Sequence, residues 1–264
     1  MRVRLLTALL AIVPSLALAQ GHKFPPDSLV NTQVIAHNTP VMQVIGQMRN
    51  ITGDLGVRCP FCHVGQEGQP LDQFDFASDD KREKLVARQM MRMVAEINRR
   101  LDTLPGHGAG QHPAGHDHAA ATPTTRSAPL VTCRTCHHGV SLPVTLQSIL
   151  LTADSTAGAD SAMRAYRALR ERYYGRDAYD FGEQSLNITA FRLARAGKVD
   201  DALAFLALNE QFYPTSSGTS VFRGNVLLMR ADTNGAAMSY REAIRRDSTN
   251  MEARGRLRDI GRTP

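Results

Sequence analysis

Two short segments of the sequence place two cysteines and a histidine where they could hold one prosthetic group. Both read Cys-x-x-Cys-His, and together they use every cysteine of the chain: Cys59, Cys62 and His63, then Cys133, Cys136 and His137. Two thiols three positions apart can bond to the two vinyl groups of a haem, and the adjacent histidine is then held under the ring as an iron ligand. The sequence therefore predicts two covalently attached c-type haems with histidine as proximal ligand.

Other uses of paired cysteines fit this pattern less well. An exported chain with four cysteines would ordinarily predict two disulfides. A thioredoxin-like redox pair is expected between a strand and a helix of a βαβ unit, which this sequence does not predict. A zinc site would leave two unrelated sets of two cysteines and one histidine. Repetition of the complete motif favours haem.

The first motif follows a segment with helical periodicity that carries methionine, a common second ligand of haem iron in cytochromes c. Thr39 as a cap and Pro40 as the first residue predict a helix that ends at Gly56. Met48 lies near the middle of its apolar stripe, whereas Met42 points to one side. We therefore predict Met48 as the distal ligand of the first haem. The stripe contains Val41, Val44, Ile45, Met48, Ile51 and Leu55.

A second helix is predicted before the second motif, from Ser78 to about Leu101. Asp79 and Asp80 would lie at the positive end of its dipole. The helix face alone leaves Met90 and Met93 open as distal ligands of the second haem. A methionine stripe at this spacing is also typical of ordinary core packing. The predicted face contains Val86, Met90, Met93, Val94, Ile97 and Leu101.

Several histidines outside the motifs are further candidates. His22 and His37 precede the first predicted helix and are alternative sixth ligands. A flexible, disordered loop is predicted over residues 105–125, which lack apolar periodicity. Its histidines could bind metal, but only loosely, because such a loop has no fixed ligand geometry. They are His107, His112, His116 and His118.

The order helix, turn, Cys-x-x-Cys-His, repeated once, resembles the cytochrome c subunit of photosynthetic reaction centres over about residues 30–150. The matching strings are residues 48–52 and 55–58 before the first motif, and 87–94 and 97–98 before the second. In that family the second ligand has an Arg-Met-Val context followed closely by Asn, so the resemblance implies Met93 rather than Met90. That subunit has four haems, whereas this chain looks like a half-sized, two-haem relative. Electron transfer is the function that the resemblance implies.

The N-terminal segment is typical of a secretory signal peptide. A short basic start precedes an apolar run of 14 residues and the cleavage signal Ala17-Leu18-Ala19. The run is shorter than the roughly 20 residues that span a bilayer. We therefore expect residues 1–19 to be removed, leaving a periplasmic or otherwise exported chain without a transmembrane anchor.

The C-terminal part repeats small residues at the 34-residue interval of tetratricopeptide (TPR) units. We predict two repeats, a preceding helix pair near residues 161–174 and a capping helix near residues 251–260. An ordinary helical bundle is the alternative. The corresponding pairs are Ala190 with Gly224, Gly197 with Ala231, Ala202 with Ala236, and Pro214 with Ser248.

The chain is thus predicted to be all-α, with a dihaem cytochrome c domain over residues 20–154, a linker near 152–160 and a TPR-like domain over 155–264. Residues 20–154 carry 12 basic and 12 acidic residues and residues 155–264 carry 17 and 13, without a basic run, so no nucleic-acid partner is expected. The predicted function is single-electron transfer, not catalysis. Its partners would be redox proteins or a membrane-bound electron-transfer complex, docked through the TPR-like domain. A dihaem peroxidase-like enzyme with one open iron and a haem-based redox sensor are the alternatives.

Overall fold

The computed structural model describes residues 23–104 and 131–263. Within these ranges the chain is helical, and extended pairing is limited to one bridge between Val64 and Asp75. The all-helical fold class is confirmed. The chain divides into two compact units, Met1–Thr132 and Cys133–Pro264. The predicted signal peptide, His22 and the histidine-rich loop lie outside the described residues.

The first unit contains helices α1 (Val41–Leu55), α2 (Cys59–Cys62) and α3 (Arg82–Asp102), with a 3-10 turn at Leu71–Gln73. As predicted, α1 ends at Gly56, whose φ of 64° is the left-handed conformation that favours glycine. The N-cap of α1 is Pro40 rather than Thr39.

Helix α3 begins later than predicted, with Lys81 rather than Ser78 as its N-cap. The reason is a turn: Asp75 Oδ1 accepts hydrogen bonds from the backbone N–H groups of Ala77 and Ser78, at 2.9 and 2.8 Å. Asp79 therefore lies in the loop before α3 and not in its first turn.

Few side chains of the first unit are buried. Among its described residues only Phe74, Lys84 and Arg88 are buried, and no residue of α1 is. Packing of apolar side chains against each other therefore contributes little within residues 23–104 of this unit.

The second unit contains a larger apolar core. Its helices are α4 (Cys133–His137), α5 (Leu146–Tyr173), α6 (Glu183–Arg195), α7 (Val199–Phe212), α8 (Ser217–Met229), α9 (Thr233–Arg246) and α10 (Met251–Asp259). Both α8 and α9 begin 34 residues after their counterparts α6 and α7. The two helix pairs turn at equivalent residues with positive φ, Gly197 at 84° and Ala231 at 59°. The predicted helical repeats are confirmed, as is the helix after them, α10.

Helix α5 differs from the sequence expectation. It runs through the predicted linker at 152–160, and the predicted helix pair near 161–174 is its second half. The small residues of the linker mark a kink at Ala157 and Gly158, where φ is −143° and 77°. Burial of Leu150 and of Asp154, which pairs with Lys198 at 2.5 Å, attaches this stretch to the repeats.

Candidate functional site

The first Cys-x-x-Cys-His motif forms a single helical turn, α2. The backbone N–H of His63 donates to the carbonyl oxygen of Cys59 at 3.0 Å and closes the turn. Residues three apart on a helix lie on one face, so Cys59 and Cys62 point to the same side. Pro60 suits the start of the turn because its fixed φ is already helical.

The imidazole of His63 is neutral and has an unsatisfied nitrogen. Its Nδ1 is buried and makes no hydrogen bond within the described ranges. Burial lowers the pKa of His63 to about 4, and the charge of Lys84 acts in the same direction. The ring stands edge-on to Phe76 with centroids 4.9 Å apart. Neutral imidazole is the form that binds a metal.

The loop after His63 brings Phe76 against the histidine ring, and Gly65 leaves the space that the neighbouring Phe74 ring occupies. A Cβ on Gly65 would lie 2.5 Å from the ring of Phe74, which is itself buried. Phe74 stacks on Phe76, with ring centroids 5.5 Å apart. A larger residue at position 65 would therefore displace the aromatic pair beside His63.

Two buried cations attach this loop to α3. Lys84 and Arg88 are 8% and 7% exposed, and Asp79 Oδ1 lies 3.1 Å from Lys84 Nζ and 2.9 Å from Arg88 Nη1. Asn31 Nδ2 donates to Asp79 Oδ1 at 2.8 Å, and Arg88 Nη2 donates to the Asn31 carbonyl at 2.8 Å. We call these four residues the basic cluster. Lys84 Nζ also donates to the backbone carbonyls of Phe76, Ala77 and Ser78.

The second motif also forms one helical turn, α4, and its histidine is held by the backbone. His137 Nδ1 lies 2.9 Å from the Val140 carbonyl oxygen. Because a carbonyl only accepts, Nδ1 carries the proton and Nε2 keeps its lone pair. The turn between them uses positive φ at His138 (51°) and Gly139 (86°). A backbone carbonyl on the second nitrogen is the usual outer contact of a metal-binding histidine.

A cleft of about 440 Å³ opens beside the second motif. It is lined by residues 136–138, by the buried Val140 and Leu146, and by residues 177–180 and Ser185 from the region before and within α6. This volume falls within the range of roughly 300–1,000 Å³ typical of ligand sites.

The environment of Cys62 differs from that of the reactive thiol in a thioredoxin-like pair. Cys59, Cys62 and Cys136 form no disulfide. Burial raises the pKa of the Cys62 thiol, and Glu83 adds to this effect. Reactive thiols of thioredoxin-like pairs have lowered pKa values, so the direction at Cys62 disfavours that alternative. Within the described ranges, no three His, Cys, Asp or Glu side chains converge on a metal site.

The predicted methionine ligands stand on helix faces that protein atoms leave partly uncovered. Met48 belongs to α1, where no residue is buried. On α3, Val86, Met90 and Met93 are 44%, 37% and 47% exposed. At 100° per residue they lie on the side of α3 opposite its buried cations. Such apolar faces suit contact with a planar apolar ring. The pairings of Met48 with His63 and of Met93 with His137 stay predictions.

His37 has a local partner. Its Nδ1 lies 2.8 Å from the Thr32 hydroxyl, and the side chain is exposed. As an alternative sixth ligand it could keep this hydrogen bond and bind iron through Nε2, so His37 stays an alternative.

The basic cluster was missed by sequence reasoning. Apolar periodicity gives no reason to bury Lys84 or Arg88, and the sequence predicts Asp79 at the positive end of a helix dipole instead. The available signal is the spacing of the two cations by four residues, which places them on one face of α3.

No helix in the described ranges is long and apolar enough to cross a membrane.

The residues present fit two covalent haems. Each motif supplies two cysteines on one helical turn and a histidine with a nitrogen available to iron. The orphaned Nδ1 of His63 and the fixed Nδ1 of His137 are the structural observations that support this fit.

Comparisons with known proteins give little further information. No protein-family model matches the chain, and no curated protein is similar to it. A solved structure, the first TPR of Spaghetti (RPAP3) bound to an HSP90 peptide, is 18% identical with a TM-score of 0.30, over 44% of this chain and 87% of that chain. A likeness of this size carries no functional information.

Proposed function

We propose that the protein is an exported, two-haem c-type cytochrome that carries single electrons between redox partners. Cys59 and Cys62 would attach one haem, and Cys133 and Cys136 the other. The observation that carries the proposal is the repeated helical turn with two cysteines on one face and, directly after them, a histidine whose Nδ1 is either without a hydrogen bond in the described ranges (His63) or held by a backbone carbonyl (His137). The resemblance of residues 30–150 to the reaction-centre cytochrome subunit points the same way.

The chain's own residues orient and shield the two haems. A haem iron, when bound, takes up and releases one electron between its ferric and ferrous states. His63 and His137 would hold the irons as proximal ligands, and the bond from His137 Nδ1 to the Val140 carbonyl would fix the ring and increase its basicity. Met48 and Met93 would be the distal ligands, and thioether ligation would raise the reduction potential. The apolar faces of α1 and α3, which are partly exposed, would cover the rings and exclude water from them.

A methionine on each helix favours an electron carrier over a peroxidase-like enzyme. With histidine and methionine on both irons, neither iron has an open position for a substrate. A redox sensor would need the same ligands, but would also need a response of the repeats to the redox state.

The helical repeats would provide the docking surface for a redox protein or a membrane-bound complex. Stacked helix pairs of this kind form extended surfaces for protein partners. Residues 155–264 carry four more basic than acidic residues, which suits an acidic partner. Ile188, Met238 and Met251 are exposed apolar side chains of this region.

The test is to produce the full-length protein in cells competent for cytochrome c maturation. We expect the mass of the denatured protein to include two haems, and the pyridine haemochrome spectrum to give two c-type haems per chain. Cys59→Ser/Cys62→Ser and Cys133→Ser/Cys136→Ser should each retain one haem. A haem-free protein with two disulfides would overturn the proposal, and rapid turnover of peroxide would favour the enzyme alternative.

A further inference from the structure

The cleft beside His137 is partly built by a segment that the sequence assigned to the repeat region. Residues 177–180 connect α5 to α6 and line the same cleft as the second motif. Both belong to the compact unit Cys133–Pro264. The second motif therefore shares its surroundings with the start of the repeats.

The segment is held in place by the core of the repeat region. Phe181, 4% exposed, follows it directly. Its carbonyl oxygen accepts hydrogen bonds from Tyr213 Oη at 2.6 Å and from Arg170 Nη1 at 3.2 Å. The ring of Tyr179 stands edge-on to those of Tyr173 and Phe181, with centroids 5.3 and 6.1 Å away. Residues 177–180, which we call the cleft wall, are thus held in position by side chains of α5 and of the C-terminal end of α7.

An ion pair connects the wall to the motif. Arg134 belongs to the second motif, and its Nη2 lies 3.2 Å from Oδ2 of Asp177 in the cleft wall. Both side chains are solvent-accessible, so the pair contributes at most about 1 kcal/mol. It does, however, show that the wall and the motif adjoin each other.

The chemistry of the wall suits a haem. Tyr179 offers an aromatic surface, and Val140 and Leu146 add apolar surface to the same cleft. Asp180 adds a carboxylate, which is solvent-exposed like that of Asp160 but lines the cleft, and its Oδ1 accepts a hydrogen bond from the Gly182 N–H at 2.7 Å. A negative charge near the iron stabilises the ferric form and lowers the reduction potential.

We propose that residues 177–180 of the repeat region form part of the second haem site, with Tyr179 shielding the haem and Asp180 lowering its potential. This inference rests on the proposed function. It gives the repeat region a role in tuning the cofactor, in addition to docking.

The experiment uses the full chain with Cys59→Ser/Cys62→Ser, which should carry only the second haem. Asp180→Asn keeps the Oδ1 acceptor for Gly182 and removes the charge. We expect this variant to increase the ratio of reduced to oxidised haem about threefold at a fixed ambient potential. At about 59 mV per tenfold change, this corresponds to a reduction potential higher by roughly 30 mV. Asp160→Asn removes the same charge from an exposed site of α5 that does not line the cleft, and should leave the ratio unchanged.

Tyr179 gives an effect of opposite sign. Tyr179→Ala should admit water to the haem, stabilise its ferric form and decrease the ratio of reduced to oxidised haem. Tyr179→Phe retains the ring and should leave this ratio unchanged. Equal ratios in Asp180→Asn, Asp160→Asn and the parent protein would overturn the inference. If the wild-type chain carries no covalent haem, the proposed function fails instead. Two haems with no response to Asp180→Asn defeat only the inference.

Discussion

Asn98 holds both backbone groups of Val131. Its Nδ2 donates to the Val131 carbonyl oxygen at 2.8 Å, and its Oδ1 accepts from the Val131 N–H at 2.9 Å. Asn98 lies near the end of α3, five residues after Met93, and Val131 lies two residues before Cys133. The asparagine that follows the Arg-Met-Val string therefore attaches the chain entering the second motif to the helix that carries the predicted ligand.

Asn98→Ala should weaken this attachment. It removes both hydrogen bonds and leaves two backbone groups unpaired, at a cost of about 1–3 kcal/mol. We expect a lower thermal midpoint and a smaller methionine-to-iron absorption band for the second haem. Asn50→Ala, at an exposed position of α1, is the matched control. Equal midpoints for the two variants would contradict the role of Asn98.

Met93→Ala tests the second distal ligand. Thioether coordination to ferric haem gives a weak absorption band near the red end of the visible spectrum. Substitution should remove the share of that band from the haem at His137 and lower its potential, because thioether ligation raises it. Met90→Ala should leave the band intact. Loss of the band in Met90→Ala alone would reverse the assignment.

Met48→Ala tests the first distal ligand in the same way. The share of the red-end band from the haem at His63 should disappear, with a lower potential for that haem. Met42→Ala is the control, because Met42 is 63% exposed on the same helix. Retention of the full band in Met48→Ala would exclude Met48 as the ligand and direct attention to His37.

Asp79 should make the basic cluster sensitive to acid. Arg88, Asn31 and Lys84 hold the pKa of Asp79 well below its ordinary value of 3.8. A lowered pKa in the folded state means that the stabilisation is present above the unfolded pKa and is lost as pH falls through the folded pKa. Thermal unfolding of the wild type should therefore become easier below about pH 4.

Asp79→Asn should show less of this acid dependence and lower stability at neutral pH. Asp72→Asn, at an exposed position of the 3-10 turn, provides the control. If the thermal unfolding midpoints of the wild type and Asp79→Asn change with pH in parallel, the ion pairs of Asp79 do not contribute to the acid dependence of stability.

Gly224→Ala should destabilise the repeats. A Cβ at position 224 would lie 2.4 Å from the ring of Tyr240, which is fully buried and donates a hydrogen bond to Asn225 Oδ1 at 2.8 Å. Overpacking of this kind costs about 1–3 kcal/mol. Urea unfolding of the repeat region should shift to lower concentration while the haem spectra stay unchanged. Gly255→Ala in α10 meets no atom within 4 Å, and should be neutral or stabilising by about 0.5–1 kcal/mol.

The sequence alone determined the two Cys-x-x-Cys-His motifs, the helices before them, the methionine-bearing faces of those helices and the 34-residue repeat. Each of these depends on local spacing: three positions between thiols, 3.6 residues per helical turn, and a fixed interval between equivalent helices. Such patterns can be read without knowing which distant segments meet.

Only the tertiary structure decided how the motifs are supported. Buried Arg88 donates a hydrogen bond to the backbone carbonyl of Asn31, which lies 57 residues before it. The sequence grouped both motifs in residues 20–154, whereas the compact units divide between Thr132 and Cys133. The second motif shares a cleft with residues 177–180, and α5 runs through the predicted linker because Leu150 and Asp154 pack into the repeat unit. Contacts between such distant segments depend on three-dimensional packing, which periodicity along the chain does not encode.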